Sequence, residues 1–243
     1  MQLAGKTALV TGGGTGIGAA IAVALAREGC RVVVTGRREE PLRATAAAFE
    51  GTPPIAVRAA DVVDRDSVGR LVGWMQGEFG RIDILVNSAG INIPKRSMLD
   101  MPPEEWDRVL RINATGPYNC MHAVLPGMRE RRDGLIVNIS SVSGIRAGTV
   151  GGVAYSASKF ALAALGLSVG NEESARGIRV TNVYPGEVDT PILEQRPTPV
   201  TPEHRARILQ PEDVAAAVVM VASLPPRARV PELMIVPAAQ PFS

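Results

Sequence analysis

The chain has 243 residues, of which 46% are hydrophobic and 21% charged, and its formal net charge is +2. This balance is typical of a globular protein with one sizeable core, so we expect a single domain over residues 1–243. So small a net charge, without long charged blocks, gives no reason to expect a nucleic-acid or membrane partner. The two cysteines, Cys30 and Cys120, form no disulfide framework and favour a reducing, cytoplasmic location.

Neither a membrane anchor nor a metal site is expected from the pattern of residues. The N-terminus lacks the charged-then-apolar layout of a signal peptide, and we find no uninterrupted apolar stretch of membrane-spanning length. His122 and His204 are far apart and have no neighbouring cysteines, so we expect no metal ligands. His122 is expected to be partly buried on a helix.

Short β-branched runs alternate with longer helical patterns along the whole chain. The predicted strands cover residues 7–11, 31–35, 55–58, 82–87, 134–140, 179–184 and 232–236. The predicted helices cover 18–28, 39–49, 67–78, 104–113, 117–131, a long segment from 155 onward, and 211–223. Apolar strands separated by helices are typical of parallel βαβ units. We therefore predict an α/β, doubly wound parallel sheet of about seven strands, with helices on both faces.

A glycine-rich turn follows the first predicted strand and leads directly into a helix. Residues 11–18 read TGGGTGIG, so the glycines that matter are spaced Gly12-x-x-x-Gly16-x-Gly18. Glycines let the backbone approach a pyrophosphate closely, and the helix N-terminus supplies unpaired N–H groups. A tight strand-to-helix connection alone would also use glycines here. The position of the turn in the first βα unit favours a nucleotide site.

The end of the second predicted strand indicates which nucleotide the turn binds. Sites selective for NAD place an acidic residue about 20 positions after the turn, where it holds the ribose hydroxyls. Here the sequence reads Thr35-Gly36-Arg37-Arg38. Arg37 and Arg38 can pair with a 2′-phosphate, so we expect NADP(H) to be preferred over NAD(H). The alternative is that both arginines only begin the next helix in solvent.

Tyr155 and Lys159 are four residues apart at the predicted start of an apolar helix, so their side chains share one face. A free phenol, with a pKa near ~10, is a poor acid or base at neutral pH. A nearby ammonium group lowers a phenol's pKa, and we expect Lys159 to lower that of Tyr155. Taken alone, such a pair also occurs by chance on amphipathic helices.

Together these motifs resemble the short-chain dehydrogenase/reductase superfamily over essentially the whole chain. Residues 11–18, 61–62, 87–90 and 185–190 are similar, in that order, to its cofactor-binding motifs, with Ser88 in place of an asparagine. The resemblance implies a Rossmann-type fold and the catalytic residues Asn113, Ser141, Tyr155 and Lys159. It implies cofactor contacts from Gly12, Thr15, Gly16, Ile17, Gly18, Arg37, Arg38, Asp61, Val62, Asn87, Ala89, Gly90, Tyr155, Lys159, Pro185, Gly186, Val188 and Thr190.

The reaction that the resemblance implies is reversible hydride transfer between a nicotinamide and a carbonyl or secondary alcohol. Ser141 would hold the carbonyl oxygen, and Tyr155 would act as the general acid or base. Lys159 would also hold the nicotinamide ribose, and Asn113 would position a water that links Lys159 to solvent. No metal is needed, because the cofactor carries the hydride.

The choice of catalytic serine depends on where the fifth strand ends. Ser140, Ser141 and Ser143 lie close together. We expect the strand to end at Ser140, which places Ser141 at the edge where α/β folds bind ligands. Ser143 is the fallback. Serines in such a turn often only satisfy backbone amides.

Substrate contacts are expected from residues 91–94, 145–153 and 187–210, the last a proline-rich segment interpreted either as a lid or as a plain surface connection. Ketones, 3-oxo acids or esters, sugars and steroids are all compatible. We expect a largely apolar pocket, lined by Ile145, Ala147, Val150 and Val153. Arg146 and Glu187 could contact a polar group of the substrate.

Alternatives remain at the level of activity. Residues 231–237 lack the glycine-rich end of fatty-acid-synthesis reductases, which argues against a 3-oxoacyl-carrier-protein reductase. They look more like the NADP-dependent 3-hydroxy-acid dehydrogenases of the superfamily. A catalytically silent relative that binds NADP(H) as a sensor or scaffold is the other alternative, and such relatives usually lose one of the four catalytic residues. The resemblance also implies a homodimer or homotetramer.

Overall fold

Seven parallel strands form one sheet in the order β3-β2-β1-β4-β5-β6-β7 in the computed structural model, which describes residues 3–239. Residues 1–2 and 240–243, the ends of the predicted domain, lie outside the described residues. The predicted α/β doubly wound sheet is confirmed. The strands are β1 Thr7–Thr11, β2 Arg31–Gly36, β3 Ala56–Ala59, β4 Ile84–Asn87, β5 Gly134–Ile139, β6 Ile178–Pro185 and β7 Glu232–Ile235.

Helices connect the strands and cover both faces of the sheet. Several begin or end at residues suited to those positions: the Asp64 carboxylate accepts from Asp66 N and Ser67 N at the start of the third helix, and Gly80 ends it with φ 75. The helices are α1 Gly16–Arg27, α2 Glu39–Ala47, α3 Arg65–Phe79, α4 Pro103–Leu110, α5 Gly116–Arg131, α6 Val153–Glu173, α7 Pro202–Arg205 and α8 Pro211–Ser223.

The apolar strands are buried on both faces, which explains why their sequences do not alternate with polar residues. Val34 packs in the layer formed with α1 and α8, whereas the adjacent Val33 packs in the opposite layer, formed with α3, α5 and α6. The chain moves outward from β1 to β3 and then returns to place β4 on the other side of β1. This switch point opens a cleft at the carboxyl ends of β1 and β4, where such folds bind ligands.

Some predicted boundaries and environments were wrong. β5 ends at Ile139 and α6 begins at Val153, two residues before Tyr155. The predicted helix over 104–113 is α4 followed by a π-helical turn, Arg111–Thr115, and the lid segment contains a 3₁₀ turn, Pro191–Gln195, before α7. His122 is exposed, with its ring 5.8 Å from that of Tyr118.

The length of α6 bears on the expectation about apolar stretches. Together with the 3₁₀ turn that follows it, residues Val153–Arg176 are long and apolar enough to span a membrane by length and composition, with a mean hydropathy of 1.3. Lys159 interrupts this segment, so the expectation that no uninterrupted apolar stretch reaches that length is not contradicted. In the fold this helix packs against β6, and both Lys159 and Leu162 are buried.

Candidate active site

Three buried asparagines, Asn87, Asn138 and Asn182, join neighbouring strands just below the cleft, and we call them the asparagine ladder. They are register partners on β4, β5 and β6. Asn87 Nδ2 donates to Asn138 Oδ1 (2.9 Å), and Asn138 Nδ2 donates to Asn182 Oδ1 (3.0 Å). Asn182 Nδ2 then donates to the Ala163 carbonyl of α6 (2.9 Å). The ladder therefore fixes the helix that carries Tyr155 against the strands whose ends form the cleft floor.

The glycine turn after β1 is packed so tightly that no residue with a side chain would fit at Gly12 or Gly18. Gly12 has φ 63, and a Cβ there would lie 2.7 Å from the Cα of Ala89. A Cβ at Gly18 would lie 2.8 Å from the Gly12 carbonyl carbon. The Thr11 hydroxyl accepts from the backbone N–H groups of Ser88 (3.1 Å) and Ala89 (3.2 Å). The turn after β1 and the segment after β4 are thus held together as one surface.

A cavity beyond the glycine turn holds the residues predicted to contact the adenosine end of the cofactor. Arg37 and Arg38 are exposed at its rim, and no ion pair with a described acidic residue occupies either guanidinium. The Asp61 carboxylate accepts from Val63 N (3.1 Å), which shapes the loop after β3. The predicted residues that line this cavity are Gly12, Thr15, Arg37, Arg38, Asp61, Val62, Ala89 and Gly90.

A second cavity continues from the turn to Tyr155, and a third opens above it. The structure brings Gly16, Ile17, Gly18, Lys159 and Thr190 together around the second cavity. Ser141, Tyr155, Pro185, Gly186 and Val188 line the third. Asn87 is the predicted cofactor residue that the structure places elsewhere: it is buried in the asparagine ladder.

The Tyr155 phenol and the Ser141 hydroxyl line the same cavity, and Ser141 acts to lower the pKa of the phenol. Ser141 Oγ also accepts from Ser143 N (3.1 Å), because Ser141 caps the 3₁₀ turn Val142–Gly144. Ser140 points elsewhere and donates to the Lys159 carbonyl (3.1 Å). Among the three serines, the geometry favours Ser141 as the partner of Tyr155.

The pKa of Tyr155 is raised, mainly by burial, although the Ser141 hydroxyl and the charge of Arg96 oppose the rise. The expectation that Lys159 lowers this pKa was wrong for this structure. Lys159 Nζ lies 5.5 Å from the centroid of the phenol ring and donates to the Ile139 carbonyl (2.8 Å). Burial lowers the pKa of Lys159 itself to about 8, so Lys159 keeps its full charge only well below that pH.

Asn113 is fully buried in the π-helical turn and is tied to the segment after β4. Its Oδ1 accepts from Ile91 N (2.8 Å), and its Nδ2 donates to the Ile91 carbonyl (2.9 Å) and to Ser158 Oγ (3.0 Å). A Cβ at Gly90 would lie 3.5 Å from both Asn113 Oδ1 and Lys159 Nζ. Asn113 therefore positions the backbone beside Lys159, and no direct hydrogen bond joins the two side chains.

The cavity above Tyr155 has a volume of about 310 Å³ and draws on all three predicted substrate segments, through Asn92, Val150 and residues 187–196. Ala147 and Val153 line a neighbouring groove instead. Sequence reasoning missed two arginines on the wall of the cavity above Tyr155. Arg96 lies two residues beyond the predicted segment 91–94, and Arg196 lies within the predicted lid segment. A basic residue in or beside an apolar stretch predicted to contact substrate was the signal that could have identified them.

Comparison with known proteins decides the family. The family model described as short chain dehydrogenase matches residues 6–200. The chain belongs to the short-chain dehydrogenase family.

The relatives of this short-chain dehydrogenase match nearly its whole length. A 3-oxoacyl-[acyl-carrier-protein] reductase, FabG, from Thermotoga maritima is 36% identical over 229 residues, covering 92% of each chain. The closed form of serine dehydrogenase, complexed with NADP+, has a TM-score of 0.89 at 29% identity, covering 98% of this chain and 97% of that one. A 3-ketoacyl-(acyl-carrier-protein) reductase from Brucella melitensis, complexed with NADH, has a TM-score of 0.87 at 27% identity, covering 96% and 98%.

As a member of this family, the protein is an NAD(P)-dependent oxidoreductase that acts on alcohol and carbonyl groups of small molecules. Its residues fit a nicotinamide dinucleotide. The glycine turn is the cradle that a side chain at Gly12 or Gly18 would fill, and the N-terminus of α1 lies beside it. The cavities on either side of the turn give room for the two nucleoside ends, with Asp61 at one and Tyr155 at the other.

Proposed function

We propose that this protein is an NADP(H)-dependent oxidoreductase that interconverts ketones, or 3-oxo acids and esters, with the corresponding secondary alcohols. The observation that carries the proposal is that Tyr155 and Ser141 line the same cavity, with Ser141 acting to lower the pKa of the phenol, while the adjoining cavity above the glycine turn also reaches Lys159. A phenol and a hydroxyl that converge on one space provide both a proton donor and a hydrogen-bond donor for a single carbonyl oxygen.

In the reducing direction negative charge develops on the substrate carbonyl oxygen. Ser141 donates a hydrogen bond to that oxygen, and Tyr155 transfers its proton to it. The bound nicotinamide supplies the hydride. The positive charge of Arg96 stabilises the phenolate that Tyr155 becomes, while Lys159, largely protonated below about pH 8, lies 5.5 Å from the phenol ring. We propose that Asn113 keeps the segment at Ile91 in place beside these groups.

The experiment that tests the proposal is Tyr155→Phe, which removes the proton donor and keeps the ring. We expect kcat for carbonyl reduction to fall about 10²–10⁴-fold, while NADPH binding, followed by fluorescence titration, stays nearly unchanged. Tyr118→Phe is the matched control: Tyr118 is exposed on α5, so this substitution removes a phenol hydroxyl that lies away from the cleft. Substantial reductase activity in Tyr155→Phe would rule out this role for Tyr155.

The preference for NADP(H) rests on this chain's own residues, because the solved neighbours bind NADP+ in one case and NADH in another. Arg37 and Arg38 stand free at the rim of the adenosine cavity, and Gly36 ends β2 without a carboxylate. Replacing Gly36 by Asp and Arg37 by Ile should shift the NADPH/NADH ratio of kcat/KM toward NADH by about 10²-fold or more. An unchanged ratio would remove the assignment.

Two narrower substrate classes can be distinguished by experiment. The Thermotoga maritima relative keeps a 3-oxoacyl-carrier-protein reductase as the second candidate, whereas the serine dehydrogenase neighbour favours a 3-hydroxy acid. Rates with a carrier-protein thioester and with the free acid separate these candidates. A silent sensor or scaffold would bind NADPH tightly and reduce no member of a panel of ketones and 3-oxo esters.

We also propose a homodimer or homotetramer in a reducing, cytoplasmic compartment. Tyr118 on α5 and Phe160 on α6 are exposed aromatic residues on the two helices expected at the interface. Cys30 and Cys120 are both free and buried, and burial raises the pKa of each to about 12, which keeps the thiols protonated. Light scattering that gives the mass of one chain would contradict the oligomer.

A further inference from the structure

Arg96 is a cation on the wall of the substrate cavity that has no acidic partner among the described residues. It follows β4 in the chain and reaches the same cavity as Tyr155, whose phenol feels its charge. Arginine is almost never fully buried without a counter-charge, and Arg96 is partly buried. The guanidinium of Arg96 is therefore available to pair with an anionic ligand in the cavity.

The hydrogen bonds of Arg96 leave part of its guanidinium unused. Of its five N–H groups, Nε donates to the Ile93 carbonyl (2.7 Å), and one terminal nitrogen donates to the Gln195 carbonyl (2.9 Å). The other terminal nitrogen donates to the Val150 carbonyl in a short contact. These three carbonyls belong to three segments around the cavity and hold the side chain in one orientation. The remaining two N–H groups have no acceptor among the described residues.

The acidic side chain on this cavity wall, Glu187, is paired with another cation, Arg196. One of its oxygens is 2.7 Å from Arg196 Nη1, the distance of an ion pair, and 2.8 Å from His204 Nε2, although neither N–H is aligned for a hydrogen bond. Arg196 offsets the charge of Glu187, so the charge of Arg96 stays uncompensated. Burial and the charge of Arg196 both lower the pKa of Arg96, and an anion bound beside it would relieve that repulsion.

We infer that Arg96 binds a carboxylate of the substrate, so that the cavity selects short oxo or hydroxy acids over neutral ketones and esters. This inference rests on the proposed carbonyl reduction and names its substrate class. A guanidinium already fixed by three carbonyls loses little conformational freedom when it binds a planar carboxylate. Its position beside the Tyr155 phenol places the carboxylate a short distance from the reacting carbonyl.

The test compares one acid with its own neutral ester, so that changes in fold or lid position cancel in the ratio. With NADPH, wild-type protein should show a higher kcat/KM for 3-oxobutanoate than for methyl 3-oxobutanoate. Arg96→Gln should lower this acid-to-ester ratio by about ten- to hundredfold. Arg96→Lys, which keeps the charge without the planar fork, should lower it less. Arg70→Gln on α3, where the arginine is exposed and far from the cavity in the fold, should leave the ratio unchanged.

Two results would overturn the inference while leaving the proposed function intact: a wild-type ratio of one or less, or a ratio that Arg96→Gln does not change. If no carbonyl compound is reduced, the proposed function fails, and binding decides the inference separately. Calorimetry would then compare 3-hydroxybutanoate with its amide on the NADP+-loaded protein. Selective binding of the carboxylate that is lost in Arg96→Gln supports the inference, and equal binding of acid and amide overturns it.

Discussion

The two halves of the cleft are built by opposite means. In the cofactor half, around Gly12 and Gly18, the shape depends on side chains that are missing, since any Cβ would strike neighbouring backbone. In the substrate half, from the asparagine ladder to the lid, the shape depends on polar side chains that bond across distant parts of the chain. Asn138 and Arg96 are examples: each joins segments far apart in sequence.

The difference decides how each half responds to change. A backbone contact at van der Waals distance cannot yield without moving a strand or a helix, so substitution there is all-or-none. A hydrogen-bonded network loses one interaction at a time and responds by degrees. Substitutions in the cofactor half should therefore have the largest effects, and those in the substrate half smaller and graded ones.

The largest effect is expected at Gly18. A methyl group there overlaps the Gly12 carbonyl oxygen, and Gly12 cannot retreat because Ala89 packs against it. Gly18→Ala should lower the free energy of unfolding by about 3 kcal/mol and abolish NADPH binding, measured by urea denaturation and fluorescence titration. Gly73→Ala on α3 is the control: its Cβ would meet nothing within 4 Å, so it should stabilise the protein by about 0.5–1 kcal/mol. Equal stabilities of the two variants would break the comparison.

A smaller effect is expected at Gly166, where α6 crosses the asparagine ladder. A methyl group there would overlap Asn182 Oδ1 and lie 2.6 Å from Asn138 Nδ2, so the side-chain amides must rotate and lose a hydrogen bond. Gly166→Ala should cost about 2 kcal/mol. Gly170→Ala, one turn further along α6, meets only Val180, whose Cβ would lie 3.2 Å away, and should cost less. If Gly170→Ala proves the more damaging in thermal unfolding, the ladder does not limit the approach of α6.

The fold and the cofactor half could be predicted because their signals are local. The apolar strands and the glycine turn are contiguous in sequence, and strand order follows from parallel connections. The ends of elements were less well predicted, because β5 stops where Ser141 begins to cap a 3₁₀ turn, a contact that the side chain makes with Ser143. That cap depends on one hydroxyl among three neighbouring serines.

The substrate half could be predicted only for residues that belong to family motifs. Asn138 and Asn182 were missed because an asparagine within an apolar strand reveals nothing about its partner on the next strand. The raised pKa of Tyr155 was missed for a related reason: four-residue spacing predicts that Lys159 is near, but burial depends on the whole fold. Long-range contacts of this kind are not encoded in spacing.

The smallest effect, and one of opposite sign, is expected at Lys159. Its pKa falls to about 8 on folding from the ordinary value of 10.5, so at pH 7 holding the charge in the folded protein costs about 3 kcal/mol. A methionine at this position would leave the Ile139 carbonyl without its hydrogen-bond donor, which costs about 2 kcal/mol. Lys159→Met should therefore raise the free energy of unfolding by about 1 kcal/mol at pH 7, while carbonyl reduction is lost.

The pH dependence separates this explanation from a simple packing gain. Between about pH 8 and 10.5 the unfolded chain binds more protons at Lys159 than the folded protein does, so wild-type stability should rise with pH through that window. The Met variant lacks this rise, and its advantage should shrink or reverse by pH 10. Urea denaturation of both proteins at pH 7 and pH 10 measures the difference. If the Met variant is more stable than wild type by the same amount at both pH values, burial does not lower the pKa of Lys159. The substrate half then contains no destabilised ammonium group.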